Sequence, residues 1–90
     1  MKLYLIHAGY YDPAIMSGLY EHHINYFVAA ENVSSAKKNA LGNPICKKYK
    51  MHIDSIQELN VVDGYSIKLV GDTLADDIVI YGYNDVKNII

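Results

Sequence analysis

Apolar residues follow one another almost without interruption near the start of the chain, from Lys2 to Ala8. Such a run predicts a strand that is covered on both faces and lies at the centre of its sheet. From Tyr20 to Ala30 the pattern alternates, and the even positions form the more apolar row. The odd row begins polar and turns apolar at Phe27 and Ala29, so we expect a second strand with one fully buried face. The two strands should pair antiparallel across the long loop between them.

A helix is predicted from Ser34 to Leu41. Either serine at its start can accept a hydrogen bond from the first free backbone N–H groups. Gly42 suits the position after the last turn, and Pro44 stops the helix from continuing. The following segment, Ile45 to Lys50, is compatible with either another helical turn or a loop.

The stretch from Met51 to Val70 predicts a β-hairpin that turns at Asp63-Gly64, a dipeptide typical of tight turns. A two-residue turn would mix polar and apolar side chains on both faces of the hairpin. A three-residue loop from Val62 to Gly64 pairs Leu59 with Ile67 and gives one largely apolar face. We therefore predict the three-residue loop, with Gly64 in the left-handed region that glycine adopts without strain.

A helical turn from Ser55 is a competing local interpretation, because Ser55 and Glu58 have the spacing of a capping box. Beyond the hairpin, Asp76 to Tyr83 predicts a last strand. The tail from Asn84 to Ile90 could form a turn of helix or fray.

The order β-β-α-β-β-β predicts one α+β domain over residues 1–90. We expect two layers, an antiparallel or mixed sheet of about five strands with one short helix on one face. The uncovered face of such a sheet is a natural surface for a second copy of the chain.

The amino-acid composition favours another protein chain as the partner. A 90-residue chain buries a modest core, and many domains of this size gain stability by pairing. Nine tyrosines stand against one phenylalanine, and half-buried rings with a hydroxyl at the edge are typical of interfaces. We therefore predict self-association, or binding to another protein, through the uncovered sheet face.

Other classes of partner are disfavoured. The eight basic side chains are all lysines and the net charge is −2, so the chain lacks the arginine fork with which proteins read phosphate and guanine. We do not expect nucleic acid to be a partner. We expect no membrane span or signal peptide. The single cysteine, Cys46, fits a reducing cytoplasm and lacks the orienting groups of a nucleophile.

The candidate chemistry lies in four polar side chains, Glu21, His23, His52 and Asp54. Alternate residues of a strand share a face, so each pair should converge on one side of its strand. Imidazole nitrogens and carboxylate oxygens together can bind a divalent transition metal such as zinc.

Two further residues could join this set, His22 in place of His23 and Asp12 from the loop. The opposing interpretation is that all of them are exposed polar groups at strand edges. No HExxH or paired CxxC spacing is present, so no resident cofactor is expected and a divalent metal is the alternative.

A second candidate site is a ligand groove formed by the tyrosine-rich loop, with Tyr10, Tyr11 and Tyr20 beside Met16. The competing interpretation, which we favour, is a lid over the edge of the core.

Three stretches carry a family resemblance: LYLIHAGYYDPAIMSGLYEHHINYFVAAENVSSAKKNA, the later HIDS, and VDGY. Together they resemble the bacterial domain-of-unknown-function family 1543, over residues 3–70, and residues 71–90 lie outside the resemblance. The family implies no activity, cofactor or catalytic residue. Its longer members carry two related copies, so a single unit implies self-association by analogy.

Two hypotheses of different classes result. The favoured one is a small cytoplasmic interaction module that acts as a homodimer and is not an enzyme. The alternative is a metal-binding protein or metal-dependent enzyme. It requires at least three of the four His and carboxylate side chains to lie within coordinating reach of one point.

Overall fold

The computed structural model describes residues 1–71 and 79–90. In these residues the strands are β1 (Lys2–Tyr11), β2 (Glu21–Ala30), β3 (His52–Leu59), β4 (Val61–Val62) and β5 (Tyr65–Ser66). The helices are α1 (Val33–Leu41), α2 (Pro44–Lys48) and α3 (Tyr83–Lys87), and a 3-10 turn (Met16–Gly18) lies between β1 and β2. This confirms the predicted α+β class with antiparallel strands, although the described strands form two sheets, β2-β1-β3 and β4-β5.

Strand β1 is central in the larger sheet, as its apolar run predicted. Its even-numbered side chains, Tyr4, Ile6 and Ala8, are almost fully buried, because α1 and α2 pack on this side, which we call the helix face. The odd-numbered Leu3 and Leu5 point to the opposite side, the open face, and stay half-buried. Among the described residues, the predicted cover on both faces of β1 is therefore wrong, since α1 and α2 lie on the same side.

Strand β2 has its even-numbered row on the helix face, as its alternation predicted. The odd row does not become core at its end, because Phe27 lies on the open face and 62 % of it is exposed. Phe27 is the Cα partner of Leu5, and Ala29 is that of Leu3. These four residues form an apolar patch at one end of the open face.

Helix α1 approaches the sheet closely because small side chains face it. Ala36 and Ala40 are fully buried against the core, and the Tyr26 hydroxyl donates to the Ala40 carbonyl at 3.1 Å. The predicted serine cap is wrong. The helix begins one residue earlier than expected, and Asn32, an equally good cap, accepts from the Ser35 N–H at 2.8 Å.

Helix α2 occupies the segment that the sequence left open. Pro44 ends α1 as predicted and also starts α2, because proline at the first helical position needs no N–H partner. Asn43 caps α2 by accepting from the Ile45 N–H at 2.9 Å. The free Cys46 thiol is buried under α2, with the Met51 carbonyl as its hydrogen-bond acceptor.

The predicted three-residue hairpin loop is wrong. Val62 pairs with Tyr65 across a two-residue Asp63-Gly64 turn. Asp63 and Gly64 have φ values of +52° and +81°, which is the type I′ turn that matches the twist of two antiparallel strands. The prediction assumed that Leu59 must find its apolar partner across the hairpin. Leu59 instead pairs with Leu3 of β1.

Two local alternatives are also decided. Ser55 lies within β3, so the competing helical turn is absent. Of the predicted last strand, residues 76–78 lie outside the described residues and residues 79–82 are not in a strand. Tyr83 begins α3, which lies within the predicted C-terminal tail except for this first residue. Among the described residues, no helix combines the length and apolar character needed to cross a membrane.

The edge of the core contains a hydrogen-bonded carboxylate, Glu58. Hydrogen bonds from Asn60, at 2.8 Å, and from the buried Tyr4 hydroxyl, at 3.1 Å, lower the pKa of Glu58, and Lys2 contributes at 3.4 Å. A carboxyl group with a lowered folded-state pKa stabilises the fold above its ordinary value of 4.5, and that contribution is lost as the pH falls through the folded-state pKa.

We expect Glu58→Gln to lower the free energy of unfolding at pH 7, because the neutral amide accepts more weakly from Asn60 and Tyr4. The difference from the wild type should shrink as the pH falls below the ordinary value of 4.5 and through the folded-state pKa, where Glu58 itself becomes protonated. Urea denaturation over a pH series measures this, with the exposed Glu31→Gln as the control. An equal difference at pH 7 and pH 3 would contradict the assignment.

Candidate functional site

The four sequence-predicted polar residues converge at one end of the open face. His23 of β2 and His52 of β3 are both Cα partners of Gly9, which lies between them on β1. Neighbouring strands are about 4.8 Å apart, so the two histidine backbones lie roughly 10 Å apart. Their imidazoles reach inward over the central strand.

A β-bulge brings the carboxylate of β3 into the same place. His7 pairs with Ser55 and Ala8 pairs with Ile53, so Asp54 is an extra residue on β3. Bulges of this kind redirect side chains and are common beside functional sites. The Asp54 carboxylate therefore points over the open face together with His52, as the alternation of a strand had predicted.

The four side chains form what we call the His–carboxylate cluster. His52 Nε2 lies 3.4 Å from Glu21 Oε2 and 3.2 Å from Asp54 Oδ1. His23 Nε2 lies 3.4 Å from Asp54 Oδ2 and forms a shorter contact with Glu21 Oε1. Each carboxylate therefore contacts both imidazoles, using a different oxygen for each. The side chains are 29–46 % exposed, which leaves the cluster open to solvent.

Gly9 gives the cluster its space. A Cβ atom at this position would lie 2.7 Å from His52 Nε2 and 3.1 Å from oxygens of Glu21 and Asp54. Any side chain at Gly9 would therefore occupy the volume where the polar atoms meet. The glycine is needed for this close approach and not for its backbone conformation.

His7 supports the cluster from the adjacent position of β1. Its ring stacks on His23, with centroids 4.9 Å apart and planes within 10°. Its Nδ1 lies 2.7 Å from Asn25 Oδ1, which fixes the orientation of the ring. His7, His23 and Asp54 also place one potential ligand atom each within 4.8 Å of one another, as do Glu21, His52 and Asp54.

Tyr11 acts on the electrostatics of Glu21. Hydrogen bonding from the Tyr11 hydroxyl is the main influence on the pKa of Glu21 and lowers it. Desolvation opposes this effect, and the nearby His23 and His52 lower the pKa further. The same interaction raises the pKa of Tyr11. Glu21 therefore stays ionised to lower pH than an ordinary glutamate, the state in which a carboxylate binds a cation.

The remaining candidates lie elsewhere. His22 belongs to the helix face, where its ring stacks on Tyr10 at 5.3 Å. Asp12 accepts a hydrogen bond from the Ala14 N–H at 2.9 Å and closes a local turn in the loop. Tyr10 and Tyr11 line a pocket at this end of the sheet, whereas Tyr20 is exposed outside it.

Sequence reasoning missed His7 and Gly9 as residues that shape the cluster, and it assigned Tyr11 to the ligand groove only. All three are alternate residues of one strand, so they share its open face. Their alternation with buried even-numbered residues was present in the sequence. Their partners became visible only through the register of β1 with β2 and β3.

The family model Domain of Unknown Function (DUF1543) matches residues 18–69, more than half of the chain. The protein belongs to this family. The matched region contains all four residues of the cluster, while the three supporting residues of β1 precede it. Comparison with curated proteins and with solved structures finds no significant match. The DUF1543 family thus gives the chain its relatives but no activity, and function has to be argued from the site itself.

We expect Gly9→Ala to displace the His52 imidazole, because the added Cβ would lie 2.7 Å from His52 Nε2. The fold should change in stability by less than about 1 kcal/mol, since the atoms that the new Cβ would meet are the ends of side chains that can move aside. NMR spectra of the histidine side-chain nitrogens test this. Gly71→Ala is the matched control, because a Cβ added there would have no neighbouring atom within 4 Å. Unchanged His52 resonances in Gly9→Ala would contradict the described packing.

Proposed function

We propose that this DUF1543 protein binds a divalent transition metal, with zinc as the reference ion, through Glu21, His23, His52 and Asp54. The observation that supports this is the spacing of the donor atoms. In a tetrahedral site with bonds of about 2.0–2.1 Å, ligand atoms lie about 3.3 Å apart. Glu21, His52 and Asp54 place one potential ligand atom each within 4.8 Å of one another, and His52 Nε2 lies 3.4 Å from Glu21 Oε2 and 3.2 Å from Asp54 Oδ1. His23 Nε2 contacts the second oxygen of each carboxylate, next to these three donors.

The donor chemistry and the charge support the same proposal. Two imidazoles and two carboxylates are borderline and hard donors, which suit zinc and the neighbouring divalent metals and not copper(I). The carboxylates of Glu21 and Asp54 bring two negative charges together, and a divalent cation neutralises both. Their partial exposure gives an ion a path of entry from solvent.

We expect zinc to raise the melting temperature of the chelator-treated protein, because a ligand that binds only the folded state stabilises it by mass action. At a zinc concentration 100-fold above Kd the gain is about 2.7 kcal/mol, which for a domain of this size corresponds to about 10–20 °C. His52→Ala should abolish the rise. Differential scanning calorimetry with EDTA, zinc, manganese, nickel and magnesium measures it.

A matched pair of aspartate variants controls for charge. Asp54→Asn removes a proposed ligand, whereas Asp63→Asn removes the same charge from the hairpin turn and keeps an Asn-Gly turn sequence. Zinc should stabilise Asp63→Asn like the wild type and Asp54→Asn much less. Equal zinc stabilisation in both variants, or none in the wild type, would refute the proposed site.

Self-association is a second proposal, supported by the apolar patch of Leu3, Leu5, Phe27 and Ala29. An exposed phenylalanine beside half-buried leucines is typical of a surface that another protein covers. The patch lies at the end of the open face opposite the His–carboxylate cluster, so a second copy of the chain could cover it and leave the cluster accessible. We place this homodimer in a cytoplasm, a location supported by the free thiol of Cys46.

We expect the wild type to sediment as a dimer and Phe27→Glu as a monomer, because the new carboxylate would be buried without a partner. Analytical ultracentrifugation at micromolar concentration measures the mass. Tyr65→Glu is the control, since Tyr65 is also an exposed ring but lies on the separate hairpin. A monomeric wild type would rule out the homodimer.

A further inference from the structure

A pocket of about 380 Å³ lies beside the His–carboxylate cluster at the same end of the sheet. The end of β1 contributes Tyr10 and Tyr11, the residue after α2 contributes Tyr49, and the start of β3 contributes His52. His52 is itself a member of the cluster, and Tyr11 is the Cα partner of Glu21, with its ring centroid 6.5 Å from that of His52. The pocket and the cluster are therefore adjacent and have His52 in common. A volume of this size is in the range of small-molecule sites.

Two lysines line the same pocket. Lys48 is the last residue of α2 and Lys50 lies two positions later. Lys48 Nζ lies 5.3 Å from the centroid of the Tyr49 ring. Within the described part of the chain, neither ammonium group forms an ion pair with a carboxylate. The Tyr10 and Tyr49 rings lie 4.8 Å apart and offer flat apolar surface beside these cations. The combination suits a ligand with a flat body and a negative charge.

We propose that this pocket binds a small organic anion with a flat apolar body. Its acidic group lies at Lys48 and Lys50, and its other end points toward His52 and the metal. The metal dependence rests on the proposed function. The pocket itself depends only on the lysines and the tyrosine rings.

The charge of the cluster couples the two sites. Without a metal, Glu21 and Asp54 carry two negative charges beside the pocket and repel an anion within it. A divalent cation cancels these charges. Metal and anion should therefore strengthen each other's binding by the same factor, since coupling between two binding sites is reciprocal.

Lys50 provides a variant that separates charge from fold. Its φ is +50°, and it follows α2 at the position where a helix usually ends with glycine in the left-handed region. The Met51 N–H donates to the Cys46 carbonyl at 3.0 Å, the bond that closes such a helix end. Glycine adopts this conformation without a Cβ penalty. Lys50→Gly should therefore remove the ammonium group without lowering the melting temperature.

The test uses 2-naphthoate as the anionic probe and 2-naphthamide as its neutral counterpart, titrated by fluorescence into metal-free and zinc-loaded protein. We expect the naphthoate to bind more tightly than the amide, and we expect zinc to increase the affinity for the naphthoate alone. Lys50→Gly and Lys48→Gln should each weaken naphthoate binding by about two- to five-fold. Lys37→Gln, an exposed lysine of α1 away from the pocket, should leave it unchanged.

Each outcome decides a separate part of the proposal. Equal affinities for naphthoate and naphthamide, or full naphthoate affinity in Lys50→Gly, would overturn the anion pocket. Naphthoate binding could depend on the lysines and yet not become tighter when zinc is bound. That result would support the pocket and overturn its coupling to the metal. If zinc does not bind at all, the proposed function fails, and the naphthoate titration of the metal-free protein still tests the pocket.

Discussion

The antiparallel pairing of β1 with both of its neighbours is the constraint on which the core and the candidate site both depend. Ten residue pairs join β1 to β2 in one continuous register, and β3 continues the sheet on the other side. This register directs Tyr4, Ile6 and Ala8 toward the helices and their odd-numbered neighbours toward the open face. A slip by one residue would exchange the two faces, bury polar side chains and disperse the His–carboxylate cluster.

The division between the two faces also separates stability from function. The core under α1 contains few large side chains, and Tyr4 and Ile6 are the largest that are fully buried among the described residues. The small side chains of Ala36 and Ala40, where α1 contacts the sheet, allow the helix to lie close to the sheet. The open face contributes less to the core, so it can hold polar groups at one end and an apolar patch at the other. The fold thus presents two chemically different surfaces on one sheet without placing either in the core.

The end of the sheet concentrates charges of both signs within a small space. Carboxylates of β2 and β3 lie above Gly9, while the lysines at the end of α2 line the adjacent pocket. The bulge at Asp54 and the left-handed conformation of Lys50 are local departures from regular structure, and they border the same site. Such departures persist where surrounding structure holds them, and they concentrate at functional sites. The bulge agrees with an assignment of function to this end of the sheet, whereas the left-handed conformation of Lys50 is explained by the end of α2.

The sequence by itself determined the elements whose signals are local. The apolar run of β1, the alternation of β2, the helix before Gly42 and the positive φ of Gly64 all depend on residues close in the chain. The pairing of two polar residues on one strand face was also predictable, because alternation is a local property of a strand. Only the tertiary structure decided which strands become neighbours. It gave Leu59 a partner in β1, placed Gly9 between two histidines and inserted Asp54 as a bulge, because these outcomes depend on packing between segments that are distant in sequence.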